Sequence, residues 1–203
     1  GFEVLHMYVD ALWIKKKGCS KQEHFTDVIT KINLHTGLTI NLDGIYRWVA
    51  FLPSKTDARI PIANRYFGVF QSGEIKVRGL EARRRDTPLW IAAVQKEMIA
   101  LLGQARTKAE LSDYIQEAFC FYYSSLRKLE ENQVPVDQLV INGKVSYALE
   151  AYKASTASVR AARQMEAAGI PIKPGMRIRF VYRKGEPDVF AWDLGHPIDP
   201  LEL

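Results

Sequence analysis

The spacing of apolar residues changes once along the chain, close to Gly79, and this change constrains the fold more than any other feature. Before it, short apolar runs and alternating patterns are typical of β-strands. Beyond it, apolar residues recur every three or four positions, as they do on one face of an α-helix. The sequence therefore predicts an α+β chain, with residues 1–80 in one subdomain and residues 81–203 in another.

Two β-hairpins are predicted in the first subdomain. Residues 4–7 and 11–14 are short apolar runs around a tight turn, which is typical of buried strands. Residues 65–70 and 74–77 are separated by a short segment that contains Gly73, and this pattern also indicates a hairpin. The subdomain is thus expected to consist mainly of antiparallel strands.

Between the two hairpins the sequence predicts a helix and a further strand. Ser20 and Glu23 have the spacing of a capping box, and Gly37 is placed to end the helix that follows. Residues 38–42 alternate between apolar and polar side chains, so a strand is expected from residue 38 to residue 52.

Two helices are predicted at the start of the second subdomain. Pro88 and Gly103 bound the first helix. Thr107 and Glu110 form a capping box that opens a second helix of about 24 residues, which ends before Pro135. The apolar face of this long helix is predicted to comprise Leu111, Ile115, Phe119, Tyr122, Leu126 and Leu129.

The rest of the second subdomain is predicted to hold two shorter helices and a strand. The helices are expected over residues 146–152 and 158–168, and Gly169 is placed to end the second of them. A strand is expected over residues 177–183. The second subdomain is therefore predicted to be mainly helical and to end in a small amount of β-structure.

The composition is that of an ordinary globular protein, with 47% hydrophobic and 25% charged residues. Apolar runs such as residues 98–102 are far shorter than the roughly 20 residues of a membrane-spanning helix. Cys19 and Cys120 are too few for a disulfide framework, and no export signal is recognisable, so a reduced, cytoplasmic chain is predicted. Zinc-ligand spacing is lacking among His6, His24, His35 and His196.

Positive charge is concentrated in two segments of a chain whose net charge is +5. A surface that meets a phosphate backbone at two places would explain this pattern, and a solvated basic face is the alternative. The first segment comprises Lys76, Arg78, Arg83, Arg84 and Arg85. The second segment comprises Lys173, Arg177, Arg179, Arg183 and Lys184.

The order of these elements, together with short motifs, resembles the C-terminal part of family B DNA polymerases. The most specific stretch runs from the Arg-Tyr-Phe-Gly of residues 65–68 to residues 77–88, which contain Arg-Gly-Leu-Glu and Arg-Arg-Asp. The resemblance covers essentially the whole chain. It implies that residues 1–80 are the C-terminal part of the palm, an antiparallel sheet with a helix, and that residues 81–203 are a mainly helical thumb.

The resemblance implies that the first hairpin carries the family's Asp-Thr-Asp motif, whose carboxylates hold Mg²⁺ in the complete polymerase. In one alignment Tyr8 and Asp10 occupy the two Asp positions; in the other, Asp10 and Leu12 do. One carboxylate is missing either way, because neither a phenol nor a leucine replaces a magnesium ligand. Asp10 is therefore the remaining motif carboxylate and a candidate Mg²⁺ ligand, with an ordinary turn residue as the alternative.

Two further positions depart from the family pattern. Asn64 stands where the family usually has the second lysine of Lys-Lys-Arg-Tyr, so that this position lacks a charge that attracts phosphate. Asp43 stands where the family has a glutamate near the metal site. Asp43 is thus a weaker candidate for the catalytic site, and a polar turn residue is the alternative.

The resemblance assigns DNA binding to Asn64, at a motif position that approaches the minor groove, and contacts with the primer–template backbone to Arg65, Tyr66, Arg78, Gly79, Arg83, Arg84 and Arg85. Guanidinium groups pair bidentately with phosphate, and a glycine allows a close approach of the backbone. Such contacts position a duplex without reading its sequence. The alternatives are that an arginine pairs with a nearby carboxylate and that Tyr66 is a core residue.

The sequence therefore predicts the palm and thumb portion of a DNA-directed DNA polymerase that binds primer–template duplex DNA and is catalytically impaired. Its expected partners are the duplex and the rest of the polymerase, the fingers and the upstream palm, with no membrane. The chain alone is not expected to polymerise. The alternative is a non-catalytic DNA-binding or scaffold module of an inactivated homologue. A basic domain that binds RNA or protein is a third interpretation, for which RNA-binding signatures are not evident.

Overall fold

A computed structural model describes residues 1–195 and residue 198, apart from the side chain of Lys108. Helices and antiparallel sheets are mixed along the chain, so the predicted α+β class is confirmed. The chain divides into two compact units. The first unit comprises Gly1–Leu80 and Gly103–Glu110, and the second comprises Glu81–Leu102 and the residues from Leu111 onward. No described helix is both long and apolar enough to cross a bilayer.

The first unit contains two antiparallel sheets. One sheet pairs β1 (Glu3–Tyr8) with β2 (Ala11–Lys15). The other has the strand order β3 (Tyr46–Pro53), β4 (Pro61–Phe70), β5 (Ile75–Arg78). Both predicted hairpins are therefore confirmed.

The first hairpin is much less buried than its apolar sequence predicts. Val4, Leu5 and Met7 in β1 are 59%, 50% and 72% exposed. Only one side of the hairpin has a partner within the described chain, where His6 and Trp13 contact Phe51 of β3. The expectation of two buried strands was wrong because the other side is left uncovered.

Helix α1 (Thr26–Thr36) ends at Gly37 as predicted, but it begins differently. A short 3-10 turn, Gln22–Phe25, precedes it. The Nδ1 atom of His24, not the Glu23 carboxylate, accepts the backbone N–H groups of Ser20 and Lys21, at 3.1 and 3.4 Å. Gly37 has a φ of 69°, a left-handed conformation that suits glycine.

The strand expected over residues 38–42 is absent, and β3 begins only at Tyr46. Side chains of α1 take the backbone donors that a strand would need. The Asn33 side-chain oxygen accepts from the N–H of Ile40 at 3.0 Å, and the Thr36 hydroxyl accepts from the N–H of Leu38 at 3.2 Å. These local hydrogen bonds compete with strand pairing.

Residues 103–110 connect α2 (Leu89–Gly103) to α3 (Lys108–Glu130) and are fixed to the second sheet of the first unit. The buried carbonyl of Ala105 accepts hydrogen bonds from Trp48 Nε1 at 3.0 Å and from Arg47 Nη1 at 3.3 Å. Thr107 and Glu110 form the capping box that the sequence predicted, with the Glu110 N–H 3.3 Å from the Thr107 hydroxyl.

The core of the second unit lies between α4 (Ala157–Ala167) and a sheet with the order β6 (Ile141–Lys144), β7 (Arg177–Tyr182), β8 (Val189–Ala191). The Gln164 side chain joins α4 to β8, donating to the carbonyl of Val189 at 2.7 Å and accepting from the N–H of Ala191 at 2.9 Å. The buried cluster comprises Val145, Leu149, Val159, Ala161, Ala162, Met165, Ile178, Phe180, Val189 and Ala191.

Two predictions for the second unit were wrong in part. Of the predicted apolar face of α3, Ile115, Phe119 and Tyr122 are exposed, whereas Ala118 and Ser125 are buried. Apolar residues cover more of α3 than its neighbours can bury, so periodicity alone could not select the buried face. In place of the helix expected over residues 146–152 there is only a short 3-10 turn, Leu149–Ala151.

Candidate nucleic-acid interface

The arginines at positions 83–85 lie on an exposed segment that is anchored to α2. Its first turn, Glu81–Arg83, is a 3-10 helix. The Gln95 side chain accepts the Ala82 N–H at 2.6 Å and donates to the Glu81 carboxylate at 3.1 Å. This anchor fixes the backbone of the segment, on which all three arginines are exposed residues.

Arg84 and Asp86 form a bidentate ion pair. Nε of Arg84 lies 2.9 Å from one Asp86 oxygen, and its terminal nitrogen lies 2.5 Å from the other. These hydrogen bonds lower the pKa of the Asp86 carboxyl, and the positive charge of Arg177 adds a smaller effect in the same direction. The alternative predicted for these arginines, pairing with a nearby carboxylate, thus describes Arg84.

The exposed side chains of Arg78 and Arg85 make no hydrogen bond or ion pair with the described residues. Arg78 ends β5 opposite Tyr66 of β4. Arg83 is exposed at the end of its 3-10 turn and has an interaction partner within the molecule. Arg78 and Arg85 are therefore available to an external anion, each on its own unit.

The predicted DNA-binding residues of β4 differ in accessibility. Asn64 is exposed, Arg65 is half-buried and Tyr66 is 6% exposed. The Tyr66 ring packs edge-on against Trp13 at 5.3 Å between ring centroids and also contacts Phe51 at 5.4 Å. Packing accounts for Tyr66 as a core residue, and a contact between Tyr66 and DNA stays a prediction.

A glycine is required at position 79 by the local conformation and packing of the backbone. Its φ is +63°, and a Cβ atom at this position would overlap with the carbonyl oxygen of Asn64. The glycine thus allows the end of β5 to pass close to β4. It connects the exposed Arg78 with the segment that carries the three arginines.

Asp10 lies in the two-residue turn between β1 and β2, where Tyr8 pairs with Ala11. Both rival motif positions are accessible, since Tyr8 and Leu12 are exposed. Their side chains offer a phenol and an isobutyl group beside the Asp10 carboxylate. Asp10 is therefore the only carboxylate within the turn and its flanking strand pairs at residues 7–12.

The Asp43 carboxylate forms an ion pair with the Lys76 ammonium group of β5. Lys76 also lies 6.0 Å from the centre of the Phe70 ring, a cation–π distance. Nearby, burial raises the pKa of the Tyr46 phenol well above its usual range, and Tyr66 and Asp43 add to the shift. The charge of Asp43 is thus neutralised by a lysine of the same unit.

The described residues of this chain do not fit a complete two-metal site. A pair of magnesium ions needs several carboxylate oxygens that converge. Within the described residues, no group of three or more His, Cys, Asp or Glu side chains is arranged to hold a metal ion. His196 lies outside the described residues.

Comparison with known proteins decides the family. A model of DNA polymerase family B matches residues 15–195, nearly the whole chain. The chain belongs to DNA polymerase family B. The resemblance predicted from the motifs at residues 65–68 and 77–88 is thereby confirmed, whereas the roles of individual residues stay predictions.

Two archaeal DNA polymerases that resemble this chain are much longer than it. The DNA polymerase of Archaeoglobus fulgidus is 25% identical over all of the chain, and DNA polymerase 2 of Aeropyrum pernix is 28% identical over 94% of it. The chain spans only 23% and 21% of these two relatives. The structure of the family B polymerase from Pyrobaculum calidifontis matches 95% of the chain with a TM-score of 0.62 at 21% identity, which supports the fold.

The sequence did not predict the contact of Gln95 with residues 81–82, which holds the arginine segment at residues 83–85, nor the position of Lys144. Gln95 lies a full helical turn or more inside α2, and nothing in its spacing from Glu81 indicated a contact. Lys144 was overlooked because it lies outside both basic segments, although β6 places it directly opposite Arg177. The sequence did not predict that β6 and β7 pair. Only this pairing shows that Lys144 and Arg177 are neighbours.

Proposed function

We propose that this chain is the C-terminal palm and thumb portion of a family B DNA polymerase, and that it binds the backbone of primer–template duplex DNA. The observation that carries the proposal is the exposed arginine segment at residues 83–85, held on α2 by Gln95. It begins four residues after Gly79, in the same stretch of sequence as the family motif. Exposed guanidinium groups on a fixed backbone are suited to phosphate contacts, and the Arg85 side chain makes no hydrogen bond or ion pair with the described residues.

We further propose that the polymerase is catalytically impaired at the first hairpin. Asp10 has no second carboxylate at Tyr8 or Leu12, and Asp43 is paired with Lys76. Electrostatic stabilisation of the transferred phosphoryl group is a main catalytic effect in this chemistry. A hairpin with one carboxylate supplies less of it than the family's pair.

The proposed partners are the duplex and the rest of the polymerase, in the same or a separate chain. Family B polymerases depend on divalent metal ions, so Mg²⁺ is the proposed cofactor of the complete enzyme. A nucleoid-associated, cytoplasmic location and a role in replication or repair are proposals that rest on the DNA partner. The exposed apolar side of β1 and β2 supports a partner segment at the hairpin.

Duplex binding is tested by fluorescence anisotropy of the complete natural protein with primer–template DNA at several salt concentrations. Log affinity should fall linearly with log salt, with a slope of about −0.9 for each phosphate neutralised. The triple variant R83A/R84A/R85A should flatten this slope by about one to three such increments. The matched control K17A/K31A/K55A removes the same charge from exposed positions elsewhere. Equal slopes for the triple variant and the control would refute the proposed contact.

A second candidate function is a non-catalytic DNA-binding or scaffold module of an inactivated polymerase. The incomplete carboxylate motif around Asp10 favours it. Both functions predict binding of duplex DNA, and they differ in whether the complete protein extends a primer. A protein that binds duplex, single-stranded and RNA probes equally would fit neither.

A further inference from the structure

Two cations face each other across the sheet of the second unit. Lys144 of β6 and Arg177 of β7 are register partners in an antiparallel pair. Directly opposite residues project from the same face of a sheet, with Cβ atoms about 5 Å apart. Both side chains are exposed, and neither makes a hydrogen bond or an ion pair with the described residues.

Like charges directly opposite one another destabilise a strand pair, so an anion bound between them would stabilise this arrangement. The next arginine on the same face of β7, Arg179, has one: its Nε lies 2.6 Å from an Asp193 oxygen. The positive charge of Arg177 helps to lower the pKa of Asp86, but the Asp86 carboxylate is already paired bidentately with Arg84. The single negative charge of Asp86 therefore lies near two arginines, Arg84 and Arg177, and Lys144 adds a further positive charge.

Arg177 lies within electrostatic range of Asp86, the ion-pair partner of Arg84. Both lie in the second unit. A guanidinium fork and an ammonium group about 5 Å apart can share one phosphate, with the fork giving two parallel hydrogen bonds and the ammonium a third. The Asp86 and Asp193 carboxylates are already paired with Arg84 and Arg179, and an external anion can serve as the partner of Lys144 and Arg177.

We propose that Lys144 and Arg177 together bind one backbone phosphate of the duplex, extending the contact surface of residues 83–85 across strands β6 and β7. This inference rests on the proposed binding of duplex DNA and adds a site to it. The contact is with a phosphodiester and carries no base specificity.

The test compares K144Q/R177Q with the control K31Q/K55Q, which removes the same charge from exposed lysines of the first unit. Anisotropy is measured with the complete natural protein and primer–template DNA over a range of salt concentrations. We expect K144Q/R177Q to weaken binding about tenfold at low salt, the effect of losing one charge-assisted contact. Its salt slope should be flatter by about 0.9 than that of the wild type. The control should change both quantities much less.

The outcomes separate the two proposals. A wild type that does not bind duplex DNA, or binds without salt dependence, overturns the proposed function and this site with it. A wild type that binds with a steep salt slope, combined with equal effects of K144Q/R177Q and the control, overturns this site alone. Equal losses for heparin and for the duplex would likewise show a diffuse basic surface in place of a phosphate site.

A charge reversal provides a readout that does not depend on unfolding. Lys144→Glu would place a carboxylate opposite Arg177 and replace a repulsion with a cross-strand ion pair. The melting temperature should therefore rise by a few degrees while the affinity for the duplex falls. A fall in both would show that Lys144 supports the fold, and an unchanged affinity would overturn the proposed site.

Discussion

The carbonyl oxygen of Asn64 occupies the space in which a side chain at Gly79 would begin. Two residues that the family resemblance assigns to DNA are thus coupled to each other within the first unit. Substitution at position 79 would displace β4 as well as the corner that follows β5. Defects in DNA binding at this glycine would therefore combine a local change with a shift of the neighbouring strand.

Gly79→Ala should destabilise the protein by about 2–4 kcal/mol, because it adds a steric overlap with the backbone to an unfavourable positive φ. The free energy of unfolding in urea measures the loss. Gly73→Ala is the matched control: Gly73 has a φ of +92° but open space around its Cβ position, so it should lose only about 1 kcal/mol. Similar losses for the two variants would contradict the overlap.

Trp48→Phe should cost about 1 kcal/mol, because it removes the indole N–H that donates to the buried Ala105 carbonyl. The phenyl ring keeps much of the packing against Phe67. Trp90→Phe in α2 is the control, since the Trp90 indole makes no hydrogen bond with the described residues. Unfolding in urea should show the larger loss for Trp48, and the reverse order would argue against this anchor.

Asp86→Asn should reduce stability at neutral pH and have little effect in strong acid. The folded-state pKa of Asp86 is lowered, chiefly by the hydrogen bonds from Arg84. Its stabilisation is therefore fully present above the ordinary pKa of about 4 and is lost as the pH falls through the lowered value. The effect should be small, because the side chains of Arg84 and Asp86 are 59% and 43% exposed to solvent. Urea unfolding of both proteins between pH 7 and pH 2 measures it; a constant difference would contradict the linkage.

Asp10→Ala should leave primer extension unchanged, because the complete natural protein is expected to incorporate nucleotides weakly with either Mg²⁺ or Mn²⁺. A family B polymerase with an intact Asp-Thr-Asp motif serves as the positive control, and Asp27→Ala in α1 as the variant control. Robust incorporation that Asp10→Ala abolishes, and Asp27→Ala does not, would show that Asp10 completes a working metal site with carboxylates from elsewhere.

The sequence predicted elements best where one local signal sufficed. Alternation and a short turn predicted the hairpin of β4 and β5, and the capping box at Thr107 predicted the start of α3. Prediction from the sequence failed where a side chain competes with strand pairing for a backbone N–H group. The side-chain oxygen of Asn33 accepts the N–H of Ile40, which a strand would use for pairing. On α3 the apolar arc is wider than the buried face, so Phe119 could not be distinguished from Ala118 by spacing.

The candidate interface was predictable in part for a similar reason. The arginines at residues 83–85 could be found because charge and motif coincide in one stretch of sequence. Pairings between residues that are distant in the sequence leave no comparable local pattern in it. The ion pair of Asp43 with Lys76 and the facing cations Lys144 and Arg177 depend on strand register, which the sequence does not state.

The uncovered hairpin of β1 and β2 has a practical consequence for work with this chain in isolation. Its strands present exposed apolar side chains such as Val4 and Met7 together with backbone groups at the sheet edge. Such an edge is a template for intermolecular strand addition. Preparations of the chain by itself should accordingly self-associate through residues 3–15, and mild detergent or a charged substitution at Val4 should keep them monodisperse.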